Sequence, residues 1–127
     1  MAQRCVLVVD DDESVREIAQ VSLEAMGGWR VLTADGPTTG WERAVRDRPD
    51  AILLDAMMPG VDGPATVERL RSEAGTRDIP VVLLAAKVQP SERERFAGLP
   101  GVSGVIAKPF DPMLLARQLG ELLGWDD

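Results

Sequence analysis

Five short apolar runs recur along this chain, at Cys5–Val9, Val31–Ala34, Ala51–Leu54, Val81–Ala85 and Val105–Ala107, each followed by a segment of helical length. Runs that are apolar at every position, rather than at alternate ones, suit strands covered on both faces. Crossovers long enough to hold a helix make neighbouring strands parallel. Because such crossovers pack right-handed over the sheet, the pattern predicts an α/β fold: a doubly wound (βα)5 sandwich with a five-stranded parallel sheet. With 127 residues, no linker and no repeat, one domain over residues 1–127 is expected.

The helical segments carry their own punctuation. Val15, Ile18, Ala19, Ser22, Ala25 and Met26 share one face at a period of 3.6, and Gly27-Gly28 stop that helix. Pro37 opens the second helix, with Trp41, Ala44 and Val45 at helical spacing, and Pro49 ends it. Pro64 opens the third, whose inner face is Val67, Leu70 and Ala74. The fourth, around Ser91–Leu99, has only Phe96, Ala97 and Leu99 to bury. Pro112 begins the last helix, lined by Leu115, Leu119 and Leu122. Leu114 and Leu123 fall outside that stripe and suggest a partner surface, with a homodimer through this helix as one candidate.

Where the apolar runs end is more telling than where they begin. The first runs into Asp10, Asp11 and Asp12, the third into Asp55, and the fifth into Lys108. Ligands of open parallel sheets bind past the carboxyl ends of the strands, so at least three carboxylates are expected to share one crevice. Acids at a helix start also favour the helix dipole, so Asp12 or Ser14 can serve simply as a cap. A carboxylate that ends a buried strand is harder to explain locally, because its desolvation is unfavourable without a partner. Hard oxygen donors in a shallow wet site suit Mg²⁺, and the flexible ammonium of Lys108 can reach across the strand ends toward Asp55.

Composition removes whole classes of chemistry. The chain has no histidine, which excludes Ser-His-Asp and Cys-His catalysis and every His-ligated zinc site. A formal net charge of −7 opposes direct nucleic-acid binding. The apolar runs fall far short of the roughly 20 residues of a membrane span, and the N-terminus lacks a signal-peptide cleavage site, so a cytoplasmic chain with no membrane insertion is expected. The single Cys5 lies in an apolar run and reads as a packed thiol.

The segments "VLVVDDDESVR", "LLDAMMPGVDG" and "VIAKPF", in this order and spacing, make the whole chain resemble the receiver domain of two-component response regulators. The resemblance implies a flavodoxin-like sheet of order 2-1-3-4-5. It implies Asp55 as phosphoacceptor from a sensor histidine kinase or histidine phosphotransfer protein, and signalling through contact with a downstream protein target. It further implies Mg²⁺ held by Asp11, by Asp10 through water, by Asp55 and by the backbone carbonyl of Met57. Lys108 would pair with the acceptor and then with the phosphoryl group, and the bond before Pro109 would be cis. The missing histidine would then sit on the donor. Pro59, Gly60 and Gly63 would let the chain turn sharply after the nucleophile.

Two positions depart from the family pattern. The end of the fourth strand, where a Thr or Ser hydroxyl usually grips a phosphoryl oxygen, is Ala85, and the position of the switching aromatic is Val105. Lys87 can either compensate from the adjacent loop or be a solvated lysine. The first reading is therefore a stand-alone receiver, with no output segment after Asp127. The alternative, motivated by Ala85 and Val105, is a receiver-like docking module that works without phosphorylation. A flavin-binding chain would instead want a Gly/Ser/Thr-rich loop after the first strand, and a dehalogenase-type phosphatase an acid at position 57, which is Met.

Overall fold

The computed structural model describes residues 3–58, 63–86 and 89–125. Pro59, Gly60 and Lys87, which the sequence singles out, lie outside the described residues. Five strands, β1 (Cys5–Val9), β2 (Arg30–Ala34), β3 (Ala51–Asp55), β4 (Val81–Ala85) and β5 (Val102–Ala107), alternate with helices α1 (Glu13–Ser22), α2 (Pro37–Asp47), α3 (Gly63–Ser72), α4 (Pro90–Ala97) and α5 (Leu115–Leu123). The sheet is parallel throughout, with the order β2-β1-β3-β4-β5.

Side chains alternate across a strand, so each continuous apolar run feeds two cores. Leu7, Val9, Ile52, Leu54 and Leu83 point to one face, where they meet Ala44 of α2, Val67 and Leu70 of α3, and Phe96 of α4. Val6, Val8, Leu53, Val82 and Leu84 point to the other, under Ala19 of α1 and Leu115, Ala116 and Leu119 of α5. Every residue of β3 and of β4 is buried. The sheet is thus covered on both faces, and its carboxyl-end edge presents the polar residues.

Several boundaries differ from the sequence reading, each for a tertiary reason. The first helix passes into a π-helical turn, Leu23–Gly27, closed by Gly28 at φ 68°. Leu23 is fully buried there, whereas Ala25 and Met26 face solvent; Ile18, upstream of that turn in α1, is exposed as well. The last strand begins at Val102 rather than Val105, because pairing of Val81 with Val102 and of Val82 with Gly104 extends the ladder across an irregularity that leaves Ser103 of β5 as the extra residue. The last helix begins at Leu115 rather than Pro112. Asp111 accepts the Met113 amide on its side chain at 2.8 Å and the Leu114 and Leu115 amides on its carbonyl, holding 112–114 as a turn. In α5 it is Leu123 that packs against the core and Leu122 that stays exposed, reversing their expected roles. Val45, Ala74 and Ala97 also face solvent.

One glycine joins the fold directly to the strand ends. A Cβ on Gly63, at the start of α3, would lie 2.9 Å from both Cα and O of Ala56, the residue after Asp55. The helix can approach β3 this closely only without a side chain there, and the opposing atoms are backbone, which cannot rotate aside. Gly63→Ala is expected to destabilise the domain by about 1–3 kcal/mol, measured as a lower urea midpoint at unchanged slope.

Candidate functional site

The strand order places β1 between β2 and β3, so the polar residues that follow β1 and end β3 emerge side by side. Asp10 is fully buried and Asp55 is 3% exposed, while Asp11 beside them is exposed. One carboxylate oxygen from each of the three lies within 4.8 Å of the others. Lys108, just past β5, spans the strand ends, its Nζ 2.8 Å from Oδ2 of Asp10 and 3.2 Å from Oδ2 of Asp55. Four sequence-predicted site residues therefore meet in one crevice.

The two readings of the acidic run divide by residue. Asp12 is the N-cap of α1: its Oδ1 accepts the backbone amides of Ser14 and Val15 and the Ser14 hydroxyl at 2.6 Å. The Ser14 hydroxyl bond, followed by these amides, holds the Asp12 carboxyl below the usual carboxylate range. Asp10 is committed differently. Its Oδ1 accepts the Asp12 amide at 2.9 Å and its Oδ2 meets Lys108, so both oxygens already have partners, whereas Asp11 projects freely.

Asp55 is likewise held on both oxygens, by the Met57 amide at 3.0 Å on Oδ1 and by Lys108 on Oδ2. Met57 itself is exposed beside the crevice. Burial acts to lower the pKa of Lys108, but the Asp10 hydrogen bond and the charges of Asp55 and Asp10 outweigh it and raise the pKa above its ordinary value. The ammonium therefore stays charged throughout the neutral range. The Lys108–Pro109 bond is cis, in line with the expectation from the sequence.

A donor set of three carboxylates, one open to solvent and two anchored, fits a hard divalent cation that keeps part of its water shell. Among the described residues, the three carboxylates lie together on one edge of the sheet. Ala85 and Val105 are both buried. The Ala85 carbonyl accepts the Lys108 amide at 2.8 Å, and the Val105 carbonyl accepts from Arg93 of α4 at 3.3 Å. Neither side chain offers a polar atom.

One contact escaped the sequence reading. Arg16, the last residue of the "VLVVDDDESVR" segment, donates from a guanidinium nitrogen to the backbone carbonyl of Asp10 at 2.8 Å. The available signal was an arginine about one helical turn beyond Asp12, on the polar side of α1, where an apolar-face reading does not look. Cys5 packs against the core edge, and burial raises its thiol pKa, in keeping with an inert packed cysteine.

Among the described residues, no helix is long and apolar enough to cross a membrane. The family model described as "Response regulator receiver domain" matches residues 6–119. The chain is 37% identical over 124 residues to the phosphate regulon transcriptional regulatory protein PhoB of Pseudomonas aeruginosa, covering 97% of this chain and 53% of that protein. It is 41% identical over 119 residues to the response regulator PleD of Caulobacter vibrioides, covering 92% of this chain and 25% of that one. The chain thus spans about half the length of the first relative and a quarter of the second. Among solved structures, the chemotaxis response regulator CheY4 of Vibrio cholerae superposes with a TM-score of 0.85 at 27% identity, over 95% of this chain and 99% of that one. The strand order 2-1-3-4-5 agrees with these likenesses, and the chain belongs to the response regulator receiver domain family of two-component signalling.

Proposed function

We propose that the chain takes a phosphoryl group onto Asp55 from a phosphohistidine on a sensor kinase or phosphotransfer protein, and signals through contact with another protein. The observation that carries this reading is the setting of Asp55: a buried carboxylate at a strand end, held by one ammonium and facing an exposed second carboxylate. In the transfer, an oxygen of Asp55 forms the new bond to phosphorus as the bond to the donor imidazole nitrogen breaks, and the leaving imidazole takes its proton from solvent. The Met57 amide and Lys108 orient the carboxylate beforehand. As charge moves onto the phosphoryl oxygens, Lys108 can follow it, because its long stem already bridges two carboxylates.

Asp11, Asp55 and the Met57 carbonyl would hold Mg²⁺, with Asp10 reaching it through water. Its chemistry there is to offset charge on the transferring oxygens. Because Asp55 is modified in the step, the protein is a phosphoryl acceptor rather than a turnover enzyme, and hydrolysis returns it to the starting state. Incubation with a small phosphodonor should add one phosphoryl group by intact mass when Mg²⁺ is present and none after chelation. A protein that never gains mass would instead be a constitutive docking module, the reading that Ala85 and Val105 favour.

Mg²⁺ should also stabilise the fold, since it relieves repulsion among Asp10, Asp11 and Asp55 and binds only where they converge. The melting temperature is expected to rise in millimolar Mg²⁺, and the rise should disappear in Asp11→Ala. An equal rise in that variant would place the metal elsewhere.

A further inference from the structure

Asp10 has three oxygen acceptors, and each is met from a different direction. Its carboxylate oxygens go to the Asp12 amide and to Lys108, as described above. Its backbone carbonyl lies past the last paired residue of β1, Val9, where the ladder no longer supplies a donor. The half-buried guanidinium of Arg16 meets it at 2.8 Å. The Asp10 amide still donates to Ala34 of β2 at 3.1 Å, so the residue is clamped to the sheet on its amino side and to α1 on its carbonyl side.

That carbonyl belongs to the peptide linking Asp10 to Asp11. The plane of this peptide sets the direction in which the Asp11 Cα–Cβ bond leaves the backbone. Asp11 is exposed, and among the described residues no side-chain hydrogen bond or ion pair fixes its carboxylate. Its aim then depends on the peptide before it. We propose that Arg16 is a positioning residue for the divalent-cation site: its bond to the Asp10 carbonyl holds the Asp10–Asp11 peptide so that Asp11 faces Asp55.

This inference rests on the metal-assisted reading above and adds to it a residue that touches neither metal nor phosphoryl group. Groups that orient metal ligands from behind typically change metal affinity by about 10- to 100-fold when removed, and the lower end is expected here because the bond acts through backbone. A bystander role is also physically reasonable, since a buried carbonyl needs a donor whatever happens nearby. The two roles differ in what they couple. A bystander changes the stability of the fold, whereas a positioning residue changes the affinity for the ion at constant fold.

Arg16→Met keeps most of the stem and removes the donors, and Arg16→Lys keeps a cation with a shorter reach. The measurement is a Mg²⁺ titration followed by the amide signals of Asp11 and Met57, together with the carbonyl carbon shift of Asp10 in the metal-free protein. Arg16→Met is expected to move the Asp10 carbonyl signal and weaken Mg²⁺ binding about tenfold, and Arg16→Lys to recover most of both. Phosphorylation by a small donor should be slower in Arg16→Met at low Mg²⁺ and return to the wild-type rate at saturation, because only the ion's affinity has changed. A carbonyl shift that moves while the dissociation constant stays at the wild-type value overturns the proposal. If Arg16→Met does not fold, Arg16→Gln, whose shorter side chain falls short of the Asp10 carbonyl, takes its place: carbonyl displacement with loss of Mg²⁺ affinity supports the proposal, and displacement without affinity loss overturns it. A wild-type chain whose Asp11 and Met57 amides ignore Mg²⁺ removes the metal-assisted reading and this inference together, whereas normal wild-type binding with unaltered variants removes this inference alone.

Discussion

Asp55→Asn is expected to gain no phosphoryl mass from a small phosphodonor in Mg²⁺, under conditions that modify the wild-type chain completely. The substitution keeps size and shape, so the Met57 amide retains an oxygen acceptor and β3 remains buried. What disappears is the anionic nucleophile. A neutral amide is a poor nucleophile toward phosphorus, and the loss should exceed roughly 1,000-fold, beyond detection in an intact-mass assay. Lys108 also loses one of its two carboxylate partners but keeps Asp10 at 2.8 Å, so the variant should stay folded. Continued phosphorylation in Asp55→Asn would point to the exposed Asp11 as the acceptor, and peptide mapping would distinguish the two sites.

Lys108→Ala should act on both stability and transfer. Asp10 and Asp55 are almost wholly buried, and Lys108 is the cation they share, so its truncation leaves two neighbouring carboxylates facing each other. Breaking a fully buried pair costs roughly 3–5 kcal/mol. The Lys108 side chain is 21% exposed, and solvent screening there should reduce the loss to about 2 kcal/mol, so the fold is retained. The folded-state pKa of Lys108 is raised above 10.5, so its contribution is complete below that value and lost only as pH rises through the folded pKa. The deficit should therefore be constant across the neutral range and shrink at strongly alkaline pH, where the wild-type lysine also loses its charge. Mg²⁺ should raise the melting temperature of Lys108→Ala more than that of the wild type, because the ion then offsets charge that no side chain does. Transfer should slow by on the order of 100-fold, the usual effect of removing one donor to developing charge. A variant phosphorylated at the wild-type rate would show that Lys108 serves only to hold the ground state.

The absence of a polar atom at Ala85 bears on the conformational response to phosphorylation rather than on the transfer itself. A charge-assisted hydrogen bond contributes roughly 1.5–3 kcal/mol, and a modification shifts a two-state equilibrium only by its differential interaction with the two states. With Ala85 buried beside the crevice and Val105 tied through its carbonyl to Arg93, movement of α4 and β5 is expected to be smaller than in receivers that carry the hydroxyl. Amide shifts induced by beryllofluoride, a phosphoryl mimic, should concentrate near Asp55 and remain small over Ser91–Leu99. Large shifts in that segment would contradict it.

The features readable from the amino-acid sequence are those set by local periodicity and by strand ends. An apolar run that stops at a carboxylate announces a strand whose last residue needs a partner, and Asp55 stands out on that ground alone. Five such runs separated by helices fix a parallel sheet, since no short turn can join them otherwise. The Asp12 cap is equally local, a side chain bonded two and three residues ahead. The family resemblance then supplied the strand order and the division of roles among the acids.

Tertiary structure decided the rest, because it depends on register between segments far apart in sequence. Lys108 was expected to reach Asp55, yet it lies closer to Asp10, 98 residues away, a preference set by how β5 and β1 stagger across the two strands between them. The π-helical turn buries Leu23 and turns Met26 outward, an outcome of packing against α5 that a 3.6-residue period does not encode. Val102 joins β5 only because β4 offers it a partner. Arg16 finds the Asp10 carbonyl only because the β1 ladder ends one residue earlier and α1 folds back over that edge. Local pattern determines which groups come to the strand ends, and the packing of the sheet determines which of them touch.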